Sequence, residues 1–218
     1  EDNFELFEKY PEYVFNFTGS VRYKMMEEYY PDKFEKLKEY IDKGRWHVVG
    51  SSVDECDVLV PSPESIIRQI LYGNEYFQNE FGKKSEDFLL PDCFGFPHSL
   101  PSVFAHAGLK GFSTQKLTWG SAIGIPFPVG VWEGPDGNSV IAALNPGAYV
   151  SSVDRRMDTD QEWVNRINNT GRLTGVYADY RYYGVGDTGG APREEDVKKA
   201  VSSLNNEDSD VDVVLSSS

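Results

Sequence analysis

The chain has 218 residues, of which 39% are hydrophobic, 26% charged and 14% aromatic, a composition that excludes disorder and suffices for one or two packed domains. Its formal net charge of −14 opposes binding to a phosphate backbone, which draws its affinity from clustered Lys and Arg. No apolar run approaches the roughly 20 residues of a membrane span, and the opening Glu1-Asp2-Asn3 is not a basic-then-apolar signal region.

These features predict a soluble chain with no nucleic-acid partner and no membrane span. Cys56 and Cys93 are too few for a disulfide framework and lack metal-site spacing, so both read as ordinary half-buried thiols. The sequons at Asn16 and Asn168 arise readily by chance and leave the compartment open, periplasmic or secreted placement included.

In chain order, a helix over Asn3–Lys9 precedes a strand at Val14–Phe17, a helical pattern through Lys24–Lys43 and a strand at Trp46–Ser52. A helix over Glu64–Phe81 follows, opened by Ser62-Pro63-Glu64-Ser65 with Pro at its first position. Next come a strand at Asp87–Leu90, a helix around Leu100–Ala107 and a strand at Gly111–Gln115. A hairpin around Val131–Leu144 turns at Pro135-Asp136-Gly137, ahead of a helix near Gln161–Asn168. Val176–Tyr183, Glu194–Leu204 and Val211–Leu215 close the series as strand, helix and strand.

Such alternation predicts βαβ units and an α/β fold with a parallel sheet, either doubly wound or closed into a barrel. Ligands in such folds sit at the carboxyl ends of the strands. Attention therefore falls on the loops Ser51–Pro63, Pro91–Ser99, Lys116–Phe127 and Gly184–Pro192.

Asp92 follows a strand and precedes a Cys-Phe-Gly turn, so its carboxylate is expected to project into the crevice; the competing reading is a helix cap or turn residue. In Thr114–Gly120, Trp119 could stack on a sugar face while Gln115 and Lys116 donate hydrogen bonds, although Lys116 also reads as a solvated cation. Asp54, Glu55 and Asp57 form either a binding rim or a solvated loop. Asp187 lies among glycines that let the backbone bring a carboxylate close to a ligand. The P-loop Lys-Ser/Thr and GxGxxG spacing are absent, which argues against a nucleotide. Two carboxylates with aromatic residues between them suit glycoside cleavage, in which one group attacks the sugar and the other protonates the departing oxygen.

Three stretches, "RWHVVGSSVDECD…PSPESIIRQILYGNEYFQNEFG", "LLPDCFGFPHSLPSVFAHAGLKGFSTQKLTW" and "GDTGGAP", resemble the catalytic domain of glycoside hydrolase family 38, the α-mannosidases, in motif and order. The resemblance implies an incomplete parallel (β/α)7-type barrel without its first strand, residues 1–218 being a fragment of the N-terminal catalytic domain of a longer glycoside hydrolase. It implies zinc-dependent, retaining hydrolysis of terminal α-mannosidic bonds in an oligosaccharide or glycoprotein glycan. Asp92 would be both nucleophile and zinc ligand, Asp187 the general acid/base, and Gln115, Lys116, Trp119, Glu55 and Asp57 substrate-binding residues. The remaining zinc ligands are expected outside this chain, so the fragment alone could be inert, and His47, His98 and His106 read as structural. The alternatives are another metal-dependent carbohydrate hydrolase, such as a polysaccharide deacetylase, and a non-catalytic sugar-binding domain.

Overall fold

The structure is a computed structural model, and it describes residues 1–120 and 124–216. The first βαβ unit joins β1 (Phe15–Thr18) to β2 (Trp46–Val49) in parallel, in register from Phe15↔Trp46 to Thr18↔Val49. Helix α1 (Asp2–Lys9) precedes it, and the crossover holds two helices, α2 (Ser20–Tyr29) and α3 (Pro31–Asp42), where the sequence predicts one helical stretch. The break falls at Tyr30 because Pro31 lacks an N–H and its ring would strike the preceding turn; at the first position of a new helix neither matters.

Helix α4 (Pro63–Phe81) is stopped at both ends by local chemistry. The Ser62 hydroxyl accepts from the Ser65 N–H at 3.3 Å, Pro63 opens the first turn, and Gly82 leaves the helix at φ 62°. Beyond it lie β3 (Asp87–Leu89), α5 (Leu100–His106), β4 (Gly111–Ser113), and the hairpin β5 (Val129–Glu133) and β6 (Ser139–Ala143). These strands make one sheet in the order β3-β4-β6-β5, with β3, β4 and β6 parallel and β5 antiparallel to β6. The hairpin turns through the expected Pro-Asp-Gly, with Gly137 at φ 80°. Gly50 joins the first unit to this sheet, its N–H donating to the Asp87 carboxylate at 3.1 Å.

The C-terminal part holds α6 (Gln161–Thr174), α7 (Glu194–Ser202) and a short antiparallel ladder of β7 (Val150–Ser151) with β8 (Gly184–Val185). The predicted strands Val176–Tyr183 and Val211–Leu215 do not form; both segments run without regular structure. In the first, an alternation of aromatics mimics a strand. Tyr180 and Tyr182 are drawn inward, the Tyr182 N–H is taken singly by the Pro146 carbonyl at 2.7 Å, and the Tyr182 hydroxyl pairs with Ser113. The α/β alternation matches the sequence expectation, while the described strands form ladders of two, four and two rather than one closed ring.

Two apolar clusters carry the fold, and α4 belongs to both. Its C-terminal Tyr76, Phe77 and Phe81 pack with Phe7, Tyr23, Leu37 and Trp46 under the first unit. Its N-terminal Ile66 and Ile70 pack with Phe88, Leu100, Phe104 and Phe112 under the second sheet. One 19-residue helix thus fixes β2 relative to β3, and with them the loops that leave their carboxyl ends.

Candidate active site

The parallel strands deliver three of the predicted loops to one end. After β3 the backbone continues through buried Leu90, whose N–H bonds the Ser113 carbonyl at 3.0 Å, and Pro91, whose carbonyl accepts from the Gln115 N–H at 3.3 Å. These two bonds hold the β3 and β4 loops side by side, so that Lys116 Nζ meets Asp92 Oδ1 at 2.6 Å. The Lys116 side chain is only 10% exposed, whereas that of Asp92 is 53% exposed. Lys116 is therefore a desolvated partner rather than a solvated surface cation. Asp92 is also no helix cap, since α5 starts at Leu100 with Ser99 as its N-cap.

Trp119 packs over the same ammonium, with Nζ 3.6 Å from its ring centroid, and presents its remaining surface to solvent at 72% exposure. The rest of the Lys116–Phe127 loop includes residues 121–123, which lie outside the described residues. Gln115 is buried and turned inward, its Nε2 donating to Thr118 Oγ1 at 3.1 Å, so it braces the loop.

A residue that the sequence reading passed over completes the group. Tyr149, on the segment leaving β6, donates its hydroxyl to Asp187 Oδ1 at 3.0 Å, and the Asp92 charge acts on the same phenol. Its ring lies 5.6 Å from Lys116 Nζ. Desolvation first, then Asp187 and Asp92, push the phenol well above the usual tyrosine range. Asp187 itself is exposed, on a 3-10 turn (Gly186–Thr188) placed by the β7–β8 ladder. Gly186 is required there: it sits at φ 44°, and a Cβ would lie 2.3 Å from Val150 Cγ2 and 2.6 Å from Tyr149 Cδ2. Tyr149 follows the hairpin's second strand, which runs parallel to β4, so it too stands beyond a strand's carboxyl end.

The acids after β2 separate. Asp57 is spent on its own loop, accepting from the Leu59 and Val60 N–H groups at 2.7 and 3.0 Å, and these bonds hold its carboxyl below the usual range. Asp54 pairs with Arg22. For Glu55, burial pushes the carboxyl up, the Arg22 charge opposes this, and the Asp54 and Asp92 charges add to it. The Glu55 and Asp92 loops are joined by the Cys93 thiol, which donates to the Cys56 carbonyl at 3.3 Å. Both thiols are free, and desolvation pushes each up to about 11, which keeps them protonated and inert.

Toward zinc, Asp92 offers one carboxylate whose Oδ1 already holds the Lys116 ammonium. Among the described residues no three His, Cys, Asp or Glu side chains converge, whereas a closed zinc site takes three or four such donors. His47 lies on β2, and His106 on α5 bonds Asp136 at 2.9 Å. These residues alone do not make a zinc site.

Comparison with known proteins bears on this geometry. Alpha-mannosidase G of Dictyostelium discoideum is 38% identical over 184 residues, covering 84% of this chain and 16% of that protein. An alpha-mannosidase of Saccharomyces cerevisiae is 32% identical over 209 residues, 94% of this chain and 19% of that one. The chain thus spans about a fifth or less of these relatives. Among solved structures, an alpha-mannosidase from Enterococcus faecalis V583 superimposes with a TM-score of 0.69 at 19% identity, over 91% of this chain and 23% of that one, which speaks for the fold. Residues 2–218 match the description "Glycosyl hydrolases family 38 N-terminal domain", and with the 38% relative this means that the chain belongs to glycosyl hydrolase family 38.

Proposed function

We propose that the protein containing this chain hydrolyses terminal α-mannosidic bonds of a mannose-containing oligosaccharide or glycoprotein glycan with retention of configuration, and that residues 1–218 are part of its N-terminal catalytic domain. The observation that carries the reading is one cluster holding both carboxylates: Lys116 pairs with Asp92 at 2.6 Å, its ammonium lies 5.6 Å from the Tyr149 ring, and the Tyr149 hydroxyl donates to Asp187 at 3.0 Å. The retaining reading requires these two carboxyls to stand about 5–5.5 Å apart, against about 6.5–9.5 Å in inverting glycosidases.

In this mechanism Asp92 attacks the anomeric carbon as the glycosidic C–O bond breaks, and Asp187 gives its proton to the departing oxygen. Asp187 then takes a proton from water, whose oxygen displaces Asp92 from the glycosyl ester. Tyr149 has a single proton for two acceptors. When Asp187 carries the acidic proton it donates to the phenol oxygen, and the phenol proton turns toward the Asp92 charge. Lys116 orients Asp92 through the 2.6 Å pair and leaves its second oxygen for attack. Trp119 supplies an apolar platform for the sugar, with Glu55 at the rim beside Asp92; Gln115 and Asp57 contribute by shaping their loops.

Zinc enters as a further element of the proposal. It would supply a Lewis-acid grip on sugar hydroxyls, with Asp92 as one ligand and the other donors drawn from outside the described residues; no step above depends on it. The test is Asp92→Asn and Asp187→Asn in the whole protein, assayed on an activated aryl α-mannoside. Asp92→Asn is expected to abolish turnover and lower zinc content together. Asp187→Asn should lower turnover about 10²–10⁴-fold at unchanged metal content, with external azide restoring part of the rate. Full activity in Asp92→Asn would rule out the nucleophile assignment.

A further inference from the structure

Behind the site, α6 presents a guanidinium to both segments that carry Tyr149 and Asp187. Arg166 grips the Asp179 carboxylate with Nε at 2.9 Å and Nη2 at 3.2 Å, and the same Nη2 donates to the Asn145 carbonyl. Asp179 is almost sealed, its side chain 2% exposed against 20% for Arg166. Asn145 leads into Tyr149, and Asp179 leads into Asp187. The two segments touch each other as well, through Tyr182 N–H to the Pro146 carbonyl at 2.7 Å and Ser151 Oγ to the Tyr182 carbonyl at 3.0 Å.

Trp163, one turn before Arg166 on α6, backs this arrangement. The Arg166 guanidinium lies 3.9 Å from its ring centroid and that of Arg181 4.8 Å, while Arg181 pairs with Asp160 at 3.0 Å. The glycine turn before Tyr149 rests on the same ring: a Cβ on Gly147, which sits at φ 79°, would lie 3.3 Å from Trp163 Cζ2.

A buried ion pair recovers in attraction roughly what it loses in desolvation, so net stability does not explain this one. What a guanidinium adds over an ammonium is direction, a rigid planar fork that fixes a carboxylate in both angle and distance. We infer that Arg166 is a positioning residue: by clamping Asn145 and Asp179 to α6 it sets the separation of Tyr149 and Asp187, and hence the direction from which the acid faces Asp92. The catalytic consequence rests on the function proposed above; the clamp itself does not.

The experiment keeps the two apart. The whole protein is labelled with 3-fluorotyrosine, the Tyr149 fluorine resonance is identified by its loss in Tyr149→Phe, and Arg166→Gln, Arg166→Lys and Asp187→Asn are compared. The clamp predicts that Arg166→Gln moves this resonance in the same direction as Asp187→Asn, with Arg166→Lys in between. On the aryl α-mannoside it predicts a fall in kcat of about tenfold to a hundredfold for Arg166→Gln with KM little changed, and partial recovery in Arg166→Lys. A Tyr149 resonance that stays in place in folded Arg166→Gln overturns the inference, whatever the activity. If Arg166→Gln does not fold, Arg166→Lys decides by the same shift. A wild-type protein inactive on mannosides overturns the proposed function and leaves the fluorine comparison to judge the clamp.

Discussion

Tyr149 is the residue whose removal separates geometry from chemistry. Tyr149→Phe keeps the ring that packs on Gly186 and deletes only the hydroxyl that donates to Asp187. The expected outcome in the whole protein is a loss of kcat of about 10²-fold, the low end for losing part of a proton-transfer chain, with the melting temperature nearly unchanged; a rate equal to wild type would remove the phenol from the mechanism. Asp92, Lys116 and Trp119 were legible in the sequence because each lies in a loop after a strand-like run, and Asp187 because glycines flank it, although the strand expected before it does not form. Tyr149 was not, because its strand belongs to a hairpin, and a hairpin reads as a local excursion rather than as a place where the sheet opens on a ligand. The acids Asp54, Glu55 and Asp57 could not be told apart by spacing, since what divides them is the backbone N–H groups at 59 and 60 and the Arg22 side chain from another element. Glu55 also yields a pH-dependent prediction. Burial raises its folded carboxyl above the unfolded value, so the protonated form is the stabilised one, and that stability is present at low pH and lost as pH rises through the folded value. Glu55→Gln is therefore expected to raise stability at pH 7 and to give no gain near pH 3 in paired urea titrations.

Among the elements, α4 was the most legible, for Ser62-Pro63 and Gly82 mark its ends, although of its apolar residues Ile66, Ile70 and Phe77 are buried while Ile67 and Leu71 are exposed. The elements missed share one cause. A strand is defined by a partner, and neither 176–183 nor 211–215 finds a ladder among the described residues, whatever their β-branched and aromatic content. The β7–β8 ribbon shows the reverse: two residues on each side, invisible to any periodicity, carry the Asp187 turn to Tyr149. Gly186→Ala tests that ribbon. Its positive φ disfavours alanine by about 1–2 kcal/mol, and the added methyl would press on Val150 and on Tyr149. The expectation is a protein that still folds, with a melting temperature lowered by a few degrees and an activity loss larger than this destabilisation accounts for, because the displaced contact is the one between the acid and the phenol. An activity loss that vanished once corrected for the folded fraction would mean that the ribbon is scaffold alone.

At the scale of the whole molecule, two opposing effects act on stability as the solution is acidified. The formal charge of −14 means that protonating exposed carboxylates relieves self-repulsion, which favours the folded state at moderately low pH. Against this stand carboxyls whose partners hold them below their ordinary range: Asp158, through Arg156 first and Asn206 next, with burial opposing, and the exposed Asp136, through Ser102 and Asn138. For such groups the stabilisation is complete above the unfolded value of about 3.9 and drains away as pH falls through the lower folded value. Asp158 has the larger structural reach. Its sealed carboxylate accepts from Arg156 at 3.0 and 2.8 Å and from Asn206, and its carbonyl from Ser209, so it ties the segment after α7 to the 3-10 turn before α6. Asp158→Asn is expected to cost about 1.5–3 kcal/mol at pH 7, the range for hydrogen bonds to a charged group, and to lose less than the parent protein between pH 5 and pH 2. The two effects differ in range: charge repulsion spread over the surface is screened beyond roughly 10 Å in 0.1 M salt, whereas contacts near 3 Å to a buried carboxylate are not. Raising salt to 0.5 M should therefore flatten the general charge-dependent part of the pH curve and leave the difference between Asp158→Asn and the parent in place. If that difference disappeared with salt, the acid lability would belong to the net charge and not to the Asp158 network.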